Sequence, residues 1–252
     1  MNQVGIDDNI QAVEMLPLGE GAILVEFGRC IRPDVHQKVK AFADYLENHP
    51  FSGMIEYASA FSSVAVFYDP FIIRKLQFER FKNPELSAYD IVSSLLHQLL
   101  SNVDSTVKHS PRIIKIPVCY GGEFGPDLDF VAKHNQLSTE EVINIHTSGR
   151  YLVYMIGFAP GFPYLGGMSE RIAAPRRQSP RLVIPAGSTG IAGMQTGVYP
   201  IETPGGWQLI GRTPLALFRP KDNPPSLLQS GDSIQFCQIS YEEYRNYEEG
   251  HS

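Results

Sequence analysis

Two periodicities divide the first hundred positions. Residues 14–18 (EMLPL) and 22–27 (AILVEF) flank Gly19-Glu20-Gly21, a pattern that predicts two strands joined by a glycine turn. Pro33 and Asp34 then suit a first helical turn, and Val35, Val39, Phe42 and Leu46 recur at intervals of three and four, placing an apolar stripe on one face of a helix. Met54–Ser59 and Val64–Tyr68 predict two more strands. A second helix is expected over Ala88–Leu100, with Ile91, Leu95, Leu96 and Leu99 on one side. Strands and helices in this order predict a small sheet with two helices on one face, an α+β sandwich of ferredoxin-like type.

Ser101 to Arg112 is polar and contains Pro111, so a boundary is expected there, dividing the chain into domains of residues 1–105 and 106–252. Beyond it, Ile113–Val118 reads as a strand and Pro126–Asn135 as a short helix. Ser138-Thr-Glu-Glu141 is a capping-box pattern that opens a further helix reaching about His146. From Tyr151 the apolar pieces are short (YLVYMIGF, RLVIP, LALF, SIQFCQI) and punctuated by glycine and proline, which predicts a closed or nearly closed β-barrel. The tail after Tyr241, with Glu242, Glu243, Glu248 and Glu249, reads as a solvated end.

Composition sharpens this picture at one place. Half of the 22 glycines and nearly half of the 19 prolines fall between Tyr151 and Pro220, a concentration that specifies a rigid, sharply turned backbone. That run also carries Arg171, Arg176, Arg177, Arg181, Arg212 and Arg219 against only Glu170 and Glu202, within a chain of net charge −6. An all-arginine segment in an acidic protein favours a small anionic or carboxylate-bearing ligand over nucleic acid, which would need a broader basic surface.

Residues 151–168 carry no charge and approach spanning length, yet Gly157, Pro160, Gly161, Pro163, Gly166 and Gly167 would break such a helix repeatedly, so no membrane span is expected. The first residues lack the basic and apolar regions of a secretory signal. Cys30, Cys119 and Cys237 are odd in number and widely spaced, and are expected as reduced, buried thiols in a cytoplasmic protein.

The strings YMIGFAPGFPYLGGM, PRRQSPR, IPAGSTGIAGMQTGVYP and TPGGWQLIGRTPLALF together resemble the 5-oxoprolinase B-subunit family, and IPVCYGGEFGPDL and the amino-terminal domain extend the resemblance across the chain. That family takes in a sporulation-kinase inhibitor protein and is similar to the first half of the carboxyltransferase region of allophanate hydrolase and urea amidolyase. The resemblance implies a cyclophilin-like barrel for the second domain. It also implies a direct partner, the 5-oxoprolinase C subunit, and a separate A subunit; together they open 5-oxo-L-proline to L-glutamate with ATP as co-substrate. The chain is expected to be inactive alone. A metal requirement is left open, and no phosphate-loop motif marks an ATP site. Inhibition of a sporulation-type histidine kinase is the alternative activity. A carboxybiotin-dependent carboxyltransferase is a weaker one, because no biotin-attachment Met-Lys-Met is present.

Opening a lactam through a phosphorylated amide calls for positive charge near phosphoryl oxygens and a planar fork for the substrate carboxylate, which makes Arg176, Arg181 and Arg212 the cationic candidates. His146 is the candidate general acid or base, or else caps its helix. Phe158, Phe162, Tyr164, Tyr199 and Trp207 sit in or beside turns and either line a cleft for a small ring or belong to the core. The position of Trp207 after Pro204-Gly205-Gly206 favours exposure. Gln195 and Thr213 are candidates for binding an amide. Gly157, Gly161, Gly187, Gly205 and Gly206 are architectural first and would contribute to binding through backbone N–H groups. His36, His49, His97, His109, His134 and His251 show no metal-ligand spacing and read as surface residues.

Overall fold

The computed structural model describes residues 13–81, 86–103 and 112–249. It divides the chain into two compact units, residues 1–109 and 110–252. Much of the polar stretch expected to carry the boundary, together with His109, His251 and the first twelve residues, lies outside the described residues.

The first unit is an antiparallel sheet in the order β1-β2-β4-β3, built from Glu14–Pro17 (β1), Ala22–Glu26 (β2), Met54–Ser59 (β3) and Ser63–Tyr68 (β4). Alternation directs Ile23 and Val25 of β2, and Val64, Val66 and Tyr68 of β4, to one face. On that face they meet Val35, Val39, Phe42 and Leu46 of α1 (Pro33–Asn48) and Ala88, Val92 and Leu96 of α3 (Ala88–Ser101). A third helix, α2 (Pro70–Phe81), precedes α3 and packs against it. His36 is buried on α1 instead of lying on the surface, and burial pushes its imidazole down to about 4.

The second unit is a seven-stranded sheet in the order β10-β9-β12-β5-β13-β6-β7. Its strands are β5 (Ile113–Tyr120), β6 (Tyr151–Ile156), β7 (Pro163–Gly166), β9 (Ser188–Ala192), β10 (Gln195–Val198), β12 (Gln208–Arg212) and β13 (Ser233–Gln238). The two ends of that order, β7 and β10, lie side by side, where Gly197 lets Phe162 and the Pro163 carbonyl approach its backbone. The result is a near-closed, cyclophilin-like barrel. The uncharged window of residues 151–168 forms β6 and β7, and among the described residues no helix is long and apolar enough to cross a membrane.

Inside the barrel, Ile116, Val118, Val153, Ile191, Val198, Ile210, Ile234 and Phe236 share one core with α4 (Leu128–His134) and α5 (Thr139–Ser148). Residues 181–184 extend as expected, yet as β8 they pair with β11 (Thr203–Gly205) in a separate ribbon. Leu215–Phe218 is not a strand: Phe218 makes an isolated bridge to Ser226, and the Leu217 carbonyl accepts from the Leu227 N–H at 2.9 Å. The tail keeps Glu242, Glu243 and Glu249 exposed, as expected of a solvated end, but it is helical. Residues Tyr241–Glu249 form α6, opened by a Ser240–Glu243 capping box and pinned by Tyr244 against Phe124 at a ring separation of 4.3 Å.

Candidate functional site

The loop from Ala173 to Pro180 is stiffened by Pro175 and Pro180 and fastened at several points. Ala174 bridges Gly193, the Arg177 N–H donates to the Gly206 carbonyl at 2.8 Å, and Gln208 Nε2 donates to the Pro175 carbonyl at 2.9 Å. Arg181 follows as the first residue of β8. The loop thereby delivers Arg177 and Arg181 to a single carboxylate, that of Asp127.

Asp127 is 6% exposed and accepts four bonds: from Arg177 Nη1 at 3.0 Å, from Arg181 Nη1 and Nη2 at 2.8 and 2.9 Å, and from the Leu209 backbone N–H at 2.7 Å. Its own N–H returns to the Leu209 carbonyl at 2.9 Å, locking the start of α4 onto β12. Although it occupies the N-cap position of α4, its side chain makes no cap bond there. Two guanidinium groups against one carboxylate leave a surplus positive charge. Arg176, exposed and without an ion pair among the described residues, adds a second. This edge is where the cationic run of the sequence becomes a place.

The edge borders a satellite core of Phe162, Ile184, Ala192, Tyr199, Trp207 and Leu209. Trp207 is 8% exposed and meets Phe162 and Tyr199 edge-on at 5.8 and 6.1 Å, so its expected exposure is corrected: β11 and β12 fold it back onto β9 and β10. Tyr199 is likewise buried, and burial pushes its phenol up to about 12 while a backbone hydrogen bond from Trp207 and the charges of Arg176 and Arg181 pull the other way. Phe158 differs from these. It is 67% exposed on a left-handed backbone (φ +66°), with its ring 5.5 Å from that of Phe162. Tyr164 is half-buried against Phe162.

The remaining candidates do not join this edge. Arg212 donates from Nε to the Ala186 carbonyl at 2.9 Å and lies over Phe124 at 5.9 Å, at the far end of β12, ~10 Å of strand beyond Leu209. Thr213 is buried, its hydroxyl accepting from the Leu215 N–H, and Gln195 is half-buried at the start of β10. The N–H groups of Gly157 and Gly187 are spent on the carbonyls of Phe162 and Tyr199, so these two donate to the fold and not to a ligand. Gly161 turns with positive φ, and Gly205 and Gly206 carry the chain from β11 towards Trp207.

His146 lies fully inside the barrel. Its Nε2 is 2.9 Å from Thr196 Oγ1 and its Nδ1 is 2.7 Å from the Tyr120 hydroxyl, so the ring caps no helix carbonyl. Thr196 Oγ1 already gives its only proton to the Gly190 carbonyl. The network therefore assigns the proton to Nε2 and leaves Nδ1 to accept from Tyr120. Burial holds the imidazole down to about 3 and the Tyr120 phenol well above its usual range, so the chain Tyr120–His146–Thr196–Gly190 stays neutral and one-directional.

Among the described residues no group of three histidine, cysteine, aspartate or glutamate side chains could hold a metal ion. All three cysteines are free; Cys119 is buried and Cys237 partly so, whereas Cys30 is exposed, contrary to the expectation of burial.

Sequence reasoning singled out Arg181 and Arg176 but missed Asp127, and passed over Arg177 as a site residue. No local spacing could have shown the pairing, because the partners lie 50 and 54 positions apart in the chain.

Residues 13–228 match the family described as carboxyltransferase domain, subdomain C and D. The chain is 56% identical over 232 residues to the 5-oxoprolinase B subunit of Bacillus subtilis, an alignment covering 92% of this chain and 95% of that one. The chain belongs to the 5-oxoprolinase B-subunit family. The family member of Haemophilus influenzae is 39% identical, over 89% of this chain and 97% of its own length. Among solved structures, a conserved uncharacterized protein of Pyrococcus horikoshii superposes with a TM-score of 0.52 at 43% identity, covering 92% of this chain and all of that one. The urea amidolyase of K. lactis, 21% identical with a TM-score of 0.69, shares the fold over 93% of this chain, which spans 15% of that longer protein.

Proposed function

We propose that this chain is the B subunit of an ATP-dependent 5-oxoprolinase that opens 5-oxo-L-proline to L-glutamate, forming a composite site with the C subunit while the A subunit works beside them. The observation that carries the reading is the 56% identity to a 5-oxoprolinase B subunit, sustained over nearly the full length of both chains.

The arginine edge suits the chemistry. A lactam is a stabilised amide, and ATP supplies a phosphoryl group that turns the amide oxygen into a leaving group. This chain's part is to hold oxyanions: Arg176 and Arg177, with Arg181 behind them, offer surplus positive charge to a carboxylate or a single phosphoryl group. That is a fit for part of the reacting assembly and not for a whole nucleotide, since the chain has no G-x-x-x-x-G-K-[ST] loop to cradle a triphosphate. We therefore assign the rest of the site to the partner protein. Phe158, an exposed aromatic on a strained backbone beside the satellite core, is the residue we place at the shared boundary.

Two further assignments belong to this reading. The first unit is a ferredoxin-like sandwich in which β1 supplies the edge strand that would otherwise follow the last helix. Three free cysteines support a reducing, cytoplasmic setting.

Reconstitution tests the function. The purified chain should release negligible glutamate from 5-oxo-L-proline, and adding the A and C subunits should produce ATP-dependent release. Full turnover by the chain alone would overturn the composite site, and no release from the three proteins together would overturn the activity.

A further inference from the structure

We propose that Asp127 is the positioning residue of an oxyanion-binding edge whose contacting groups are Arg177 and Arg176, and that this edge takes a small ligand bearing a carboxylate or phosphoryl group. The proposal rests on the oxoprolinase reading for its choice of ligand, but its geometry stands apart from that activity.

The carboxylate of Asp127 is filled. Four donors occupy its two oxygens, about all the acceptor sites a carboxylate has, so it has nothing left to offer a ligand and does not cap its own helix. One arginine would have neutralised it, and Arg181 does so with both terminal nitrogens. The bond from Arg177 is therefore surplus to charge balance. Its consequence is orientation: Nη1 is fixed at 3.0 Å from Oδ1, Nε is buried without a partner, and Nη2 remains as the uncommitted terminal donor of a side chain 36% exposed. Backbone bonds at Arg177 and Pro175 hold the loop that carries it, so the side chain's freedom is surrendered on folding and not on binding. Arg176 stands next in sequence, exposed and unpaired among the described residues, and its charge reaches Tyr199 alongside that of Arg181. Two surplus charges on a stiff loop beside an aromatic cluster form a receptor for one oxyanion on a compact apolar body.

Calorimetric titration of the purified chain with 5-oxo-L-proline and, separately, with inorganic phosphate at low ionic strength tests this directly. The wild-type chain should bind at least one probe, with affinity falling as salt rises. Arg177→Ala should weaken binding by about tenfold or more, with a smaller fall in melting temperature than Arg181→Ala, because Arg181 still neutralises Asp127. Asp127→Asn should weaken it comparably even though it adds no bulk and removes no ligand-facing group. Because Asp127→Asn exposes two arginines to each other and risks misfolding, Arg177→Ala and Arg176→Ala carry the decision. In the reconstituted complex Arg177→Ala should raise KM for the lactam while kcat holds where the edge takes the substrate carboxylate, and lower kcat where it takes the phosphoryl group. Mere loss of folded protein instead lowers kcat without changing KM and is read from the amount of folded protein. Loss of phosphate binding alone would assign the edge to a phosphoryl group, and loss of lactam binding alone to the substrate carboxylate. Failure of the wild type to bind either probe, or binding by both arginine variants within about twofold of wild type, overturns the proposal. Absence of lactam opening by the full complex, with these binding results intact, would instead remove the oxoprolinase reading and leave the edge standing.

Discussion

Arg181 meets Asp127 through two parallel bonds, Nη1 to Oδ2 at 2.8 Å and Nη2 to Oδ1 at 2.9 Å. A lysine carries the same charge on a point donor and cannot span both oxygens. Arg181→Lys should therefore cost about 1–2 kcal/mol of stability, less than the roughly 3–5 kcal/mol expected when a partner of a buried ion pair is deleted. Urea denaturation checks this, and an unchanged midpoint would show that the fork contributes orientation without stability.

Among the described residues each unit buries one histidine as a neutral ring, His36 at about 4 and His146 at about 3, against an ordinary value of 6.5. Between those values the unfolded chain takes up protons that the folded chain refuses, so stability is complete above about pH 6.5 and declines as pH falls. Each histidine should contribute a slope of about 1.4 kcal/mol per pH unit between about pH 6 and 5, above the range where carboxylates titrate. Urea unfolding across that interval measures it. His36→Gln should flatten the slope of the first unit's transition, and slopes identical to wild type would show that the imidazole is not excluded from protonation.

Phe158 combines 67% exposure with a left-handed backbone. Relief of that backbone in Phe158→Gly should offset the lost contact with Phe162, leaving stability within about 1 kcal/mol of wild type. Assembly with the C subunit should nonetheless weaken measurably in a pull-down or by sedimentation. A variant that assembles as well as wild type would remove Phe158 from the interface.

Gly187 turns at φ +82°, and a Cβ there would run into the Thr213 carbonyl. Neither the backbone angle nor the opposing backbone atom yields cheaply. Gly187→Ala should destabilise the barrel by about 3 kcal/mol or more, read as a fall in the second unit's melting temperature. A change below about 1 kcal/mol would mean that the turn adapts.

Where one face of an element was apolar, its position was legible. The stripe of α1 and the alternation of β2 and β4 face one core, as do Ile91, Leu96 and Leu99 of α3, though the buried face of α3 is centred on Ala88, Val92 and Leu96 and leaves Leu95 out. The ends of these elements lie within a few residues of expectation. The helix α2 escaped notice because it has no such stripe: Ile73 is buried, but Phe71, Ile72 and Leu76 are exposed around it. In the barrel, glycine and proline marked the turns correctly yet misled about Trp207, since a residue beside a turn is exposed only if the next strand does not fold back over it. The arginines of the site announced themselves by composition. Asp127 did not, because a single aspartate before a short helix looks like a cap, and only the tertiary fold brings β8, β12 and α4 to the same carboxylate.

The central position of β13 has a consequence for how this protein is made. It runs parallel to β5 along six residue pairs and borders β6 on its other side, so the last strand among the described residues is the stave that joins the two halves of the second sheet. A ribosome that has delivered everything up to Gly231 has produced two separate sheet fragments, each with an exposed edge. Enclosure waits for β13 to leave the exit tunnel, and a stop codon placed just before it would yield an open, sticky product in place of a slightly shortened barrel.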